Sequence, residues 1–99
     1  MGAVTMFFIP RVNVIESDSG FSVEVLGRTG LCYREGNRNL KVDSEVLMGP
    51  SGMVVDASSV RKWSPPHDDQ VIDEARRKEI VGNIQAAFRF RGLEIEVVW

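Results

Sequence analysis

The apolar residues of this 99-residue chain change their period near Ile72, and that change limits the folds open to it. Before it, turn residues break the chain into short runs in which apolar side chains recur with period two, the spacing of strands with one buried face. After it, Ala75, Ile80, Val81, Ile84, Ala87 and Phe88 fall into one broad stripe at helical spacing. From Leu93 to Trp99 alternation returns, with Leu93, Ile95, Val97 and Trp99 on one side and Glu94 and Glu96 on the other. Strands, then one helix, then a last strand predict an α+β fold. Its antiparallel sheet has about five to seven strands, with one long C-terminal helix packed on one face, followed by a final strand.

Local chemistry fixes several boundaries. Phe21, Val23 and Val25 alternate with Ser22, Glu24 and Leu26 between Ser17-Asp18-Ser19-Gly20 and Gly27. Residues 31–35 and 38–42 flank Gly36-Asn37, and glycine at the first central position suits a type II′ hairpin. Leu31, Tyr33 and Glu35 then share one face, and Cys32 and Arg34 the other. Gly49-Pro50-Ser51-Gly52 is turn chemistry between residues 45–48 and 53–55, for a further hairpin or a short irregular link. Residues 60–63 read as a short extended piece, and Pro65-Pro66 ends any ladder, making residues 64–70 a stiff, exposed loop. Asp73 is an N-cap, Glu74 an anion in the first turn, Arg89 and Arg91 cations near the last, and Gly92 the C′ residue. Arg76, Arg77, Lys78, Asn83 and Gln85 lie largely outside the apolar stripe, and Arg76-Arg77-Lys78, balanced by Asp73, Glu74 and Glu79, read as a solvated, salt-bridged face.

Composition narrows the function classes. With 43% hydrophobic and 26% charged residues the chain has the makeup of a soluble globular protein, expected as one domain over residues 1–99 with residues 1–10 a candidate for a poorly ordered lead. Twelve basic against fourteen acidic side chains are not the footprint of a nucleic-acid binder. No run approaches the roughly 20 apolar residues of a membrane span, and the apolar start lacks the basic region and cleavage site of a signal peptide. A single cysteine closes no intramolecular disulfide, so the cytoplasm is the expected compartment. One histidine beside Asp68-Asp69 does not make a metal-ligand pattern, and neither cofactor nor metal is expected. Cys32, in mid-strand, reads as inert rather than as a nucleophile paired with His67. Gly27-Arg28-Thr29-Gly30 lacks the following helix of a phosphate cradle and reads as a turn. Glu35, Asp43, Glu45 and Asp56 are not brought to a common site by any spacing, and Glu35 is expected in a cross-strand ion pair with Arg34 or Arg38.

The segment Trp63-Ser64-Pro65-Pro66-His67-Asp68-Asp69 is the most pointed feature. Tryptophan is a preferred interface anchor, prolines reduce the entropy lost on binding, and two aspartates add a directional charge. The plainer alternative is that Trp63 caps the core while the prolines turn the chain toward the helix. The candidate partner-binding residues are therefore Trp63, Pro65, Pro66, His67, Asp68 and Asp69, with Tyr33, Glu35 and Arg38 of the hairpin as a second patch. No residue is assigned a catalytic or metal-binding role.

Five segments, taken in order, carry a resemblance. They are Gly20-Phe21, Tyr33-Arg34-Glu35-Gly36-Asn37-Arg38, Ser44-Glu45-x-Leu47-x-Gly49-Pro50-x-Gly52, Ser59-Val60-x-x-Trp63-x-Pro65-Pro66 and Ile80-x-x-Asn83-Ile84-x-x-Ala87. Together they resemble the bacterial polymorphic-toxin immunity proteins, those like immunity protein 74, over about residues 20 to 98. The resemblance implies an α+β protein without catalytic residues that binds and neutralises a cognate protein toxin. Two other readings stand beside it. One is a small enzyme or regulator holding an anionic ligand with Tyr33, Arg34, Glu35 and Arg38, since arginine forks grip carboxylate and phosphate. The other is a homo-oligomer pairing through the edge at residues 93–99, so that the chain is a monomer or a homodimer.

Overall fold

A computed structural model describes residues 6–47 and 52–99, and the period-two region forms six consecutive strands in it. These are β1 (Phe7–Arg11), β2 (Val14–Ser17), β3 (Phe21–Val25), β4 (Thr29–Glu35), β5 (Arg38–Val46) and β6 (Met53–Asp56). A 3-10 turn at Ala57–Ser59 and the proline loop lead to α1 (Glu74–Phe90), and β7 (Ile95–Val98) follows. All seven strands form one sheet in chain order. The first six run antiparallel, whereas β7 lies parallel to β6. The helix explains that reversal: it carries the chain back along the sheet, and a crossover of this kind is what a parallel neighbour requires.

The core lies between one sheet face and α1. Val23, Leu31, Tyr33, Leu40, Val42 and Val55 point inward, each with almost no exposure, and meet Ile80, Val81, Ile84, Ala87 and Phe88 of the helix. Burying a side chain of this class stabilises by roughly 1.5–3 kcal/mol. Both caps of α1 form as local chemistry dictates. The Asp73 carboxylate accepts from the Arg76 backbone N–H at 2.7 Å. At the other end Gly92 has φ +82°, its N–H donates to the Arg89 carbonyl, and the Leu93 N–H donates to the Phe88 carbonyl. That pair of bonds is a Schellman motif. In the β4–β5 hairpin Gly36 has φ +62° and, among the described residues, no non-glycine φ is positive, so Asn37 stays negative as a type II′ turn requires.

Several expectations change. Residues 7–10 belong to an edge strand, where Pro10 costs no ladder bond needed by a neighbour, rather than to a loose lead. Residues 1–5 lie outside the described residues, as does the centre of the predicted turn at 48–51. The strands beside that turn do pair, Val46 opposite Met53, as a hairpin. Residues 60–63 form no strand; Lys62 makes one isolated bridge with Val71 across the base of the proline loop. Ala75 is exposed, because it falls in the first turn of α1, before the helix reaches the sheet.

Candidate functional site

The inner faces of β4 and α1 meet at a polar rim. Tyr33 and Glu35 are two residues apart on β4 and so share a face, while Arg76, Glu79 and Asn83 come from one side of α1. The Tyr33 ring is wholly buried and stacks against Phe21 at 5.8 Å and Trp63 at 6.3 Å between centroids. Its hydroxyl reaches the rim, donating to Glu35 Oε1 at 2.6 Å and accepting from Asn83 Nδ2 at 3.0 Å. Glu35 Oε2 takes one amino group of Arg76, and the other amino group of Arg76 takes Glu79. One guanidinium thus serves two carboxylates, and each is tied to a different element. The guanidinium carbons of Arg38 and Arg76 each lie 5.9 Å from the Trp63 ring centroid, within cation–π range. Beside the cluster opens a shallow groove of about 430 Å³ lined by Ser19, Phe21, Glu35, Arg76, Glu79 and Asn83.

Burial pushes the Tyr33 hydroxyl above its usual pKa, with the Asn83 hydrogen bond acting in the opposite direction. It is therefore held neutral, as a donor and acceptor. On the far face of the sheet a hydrogen bond from Arg34 holds the Glu24 carboxyl below the usual range, with 2.8 Å between them. Burial raises the Cys32 thiol, the opposite of what an activated nucleophile needs.

The predicted site residues separate into supports and surface. Trp63, at 4% exposure, and Tyr33, at 0%, are core residues in the free protein, which corrects their placement as surface contacts. The reason is their position over the sheet beneath the start of α1, where they continue a row of rings from Phe21. Glu35 pairs with Arg76 of the helix, rather than with Arg34 or Arg38: Arg34 lies on the other face with Glu24, and Arg38 turns toward Trp63. Pro65, Pro66, Asp68 and Asp69 are exposed and His67 is half-buried. Their loop is fastened at both ends, by Ser64 N–H to the Asn39 carbonyl at 2.7 Å and by Ile72 N–H to the Arg61 carbonyl at 2.8 Å. The salt-bridged reading of Arg76 is borne out by its pair with Glu79, but the contacts of Arg76 and Asn83 with β4 were missed. Their spacing with Ile80 and Ala87 was the available signal, since positions 76, 80, 83 and 87 follow one another along a single helical stripe.

The family model for immunity protein 74 matches residues 22–98, a span that begins in β3 and includes the whole polar rim and every residue lining the groove except Ser19 and Phe21. The chain belongs to the immunity protein 74 family. No curated protein and no solved structure matches it. Within this immunity protein 74 chain, β1 and β2 lie outside the matched span, whereas the Tyr33–Glu35–Arg76–Asn83 array and the proline loop lie inside it.

Proposed function

We propose that this protein binds a cognate bacterial toxin and neutralises it by occlusion, without chemistry of its own, in the cytoplasm of the cell that carries both. Membership of the immunity protein 74 family carries this reading. The surface that serves it is the tethered loop at Pro65, Pro66, His67, Asp68 and Asp69, continued by Arg38 and Glu35 at the rim of the hairpin. Such a loop, stiffened by two prolines and bonded to β5 at its base, loses little entropy on docking. Trp63 and Tyr33 act beneath it as the buttress that holds it in place. An anionic ligand at the hairpin is the weaker reading, because the guanidinium it needs at the groove already serves two carboxylates.

The test is co-expression with the toxin domain encoded by the adjacent reading frame. The wild-type chain is expected to restore growth and to form a stable complex by titration calorimetry. Charge reversal by Asp68→Lys with Asp69→Lys should leave the fold intact and weaken the complex about tenfold or more, the effect of losing complementary charges at an interface. Undiminished toxicity with the wild-type chain present overturns the reading, and full protection by the reversed variant removes the loop from it.

A further inference from the structure

β7 closes the open strand order, and among the described residues nothing pairs with the side of it that faces away from β6. An unpaired edge of this kind is a template for another strand. The two ends of the sheet are treated differently. β1 carries Pro10 and Arg11 and an irregular register against β2, features that discourage further pairing. Residues 95–99 hold no proline, no lysine and no bulge, and they leave Val98 and Trp99 more than half exposed. We propose that β7 pairs antiparallel with β7 of a second copy of this chain, joining the two sheets across a two-fold axis at Val97.

Charge along the strand selects that register. Directly opposed residues of antiparallel strands lie on the same face of a sheet, so the Ile95–Val97–Trp99 side must meet itself and the Glu96–Val98 side must meet itself. An axis at Glu96 sets that carboxylate against its own copy, and an axis at Ile95 sets Glu94 against Glu96. Among the described residues an axis at Val98 opposes one pair on each side of it, Val97 with Trp99, against two on each side for an axis at Val97. The axis at Val97 places Glu96 opposite Val98 and Ile95 opposite Trp99, separating the carboxylates and covering the indole with an apolar neighbour. The paired segment, residues 95–99, is short, about 17 Å for five residues. Its interface falls below the roughly 800 Å² per partner of a tight complex, so association is weak and concentration-dependent.

Sedimentation equilibrium of the full chain is the test, and the exposed residue Val98 supplies variants that keep the fold. Wild type should show a monomer–dimer equilibrium. Val98→Lys sets an ammonium opposite Glu96 of the other copy and should tighten the dimer several-fold in low salt, while Val98→Glu should loosen it about tenfold. With Cys32→Ser as background, Val97→Cys should oxidise to an interchain disulfide, because position 97 meets itself within bonding range, and Glu96→Cys should not. A monomeric mass up to about 1 mM, identical dimer constants for the two Val98 variants, or cross-linking through position 96 instead of 97 would each overturn the proposal.

Discussion

Tyr33 joins two environments in one side chain: its ring is stacked in the core and its hydroxyl ties β4 to α1 through Glu35 and Asn83. Removing that hydroxyl alone, by Tyr33→Phe, should cost about 1–2 kcal/mol in urea unfolding, the usual loss for a part-buried hydrogen-bonding group. Because burial raises the folded pKa above the ordinary value of 10.0, the neutral hydroxyl favours the folded state. Its contribution is complete below pH 10 and is lost as pH rises through the folded pKa. The stability gap between wild type and Tyr33→Phe is therefore expected to narrow above pH 10, and a gap constant across the alkaline range would show that another group titrates. The inward direction of this tyrosine was legible, since Leu31, Tyr33 and Glu35 alternate with Cys32 and Arg34. Its partner Asn83 was not, because the two stand 50 residues apart in the chain.

At the level of elements, α1 was readable almost to the residue because capping is decided within a few residues of chain. Asp73, Glu74, Arg89 and Gly92 carry that information, and each takes its expected place. Asp73→Ala removes the acceptor for the Arg76 N–H and should lower stability by about 1 kcal/mol, which for a chain of this size is a fall of about 4–8 °C in Tm by calorimetry. An unchanged Tm would mean that a neighbouring group replaces the cap. The strands were legible where polar and apolar residues alternate, as in β3 and β4. β1 was hidden, since Phe8, Ile9 and Pro10 do not alternate and are all exposed at the sheet edge. The salt-bridged reading of Arg76 holds for Glu79, while its pair with Glu35 and the bond from Asn83 to Tyr33 were hidden for a related reason: polar residues on the margin of an apolar stripe can face either water or a sheet rim.

In the molecule as a whole, Trp63 links the core to the loop proposed as the binding surface. Trp63→Ala should cost about 3–5 kcal/mol, the range for a buried aromatic, and should weaken partner binding as well by releasing the loop. Chemical denaturation beside titration of the same sample separates this variant from the Asp68 and Asp69 reversals, which should affect binding alone; an unchanged unfolding midpoint would return Trp63 to the surface. The sequence by itself determined the order of elements, the type II′ turn at Gly36, both ends of α1 and the inward faces of the middle strands, since each depends on neighbours a few positions away. Only the tertiary structure decided that Trp63 is covered, that Glu35 answers to Arg76 across 41 residues of chain, and that β7 lies parallel to β6 with its other edge unpaired among the described residues. Those outcomes depend on which of several compatible surfaces meet when α1 lies back over the sheet, and packing resolves that choice only in three dimensions.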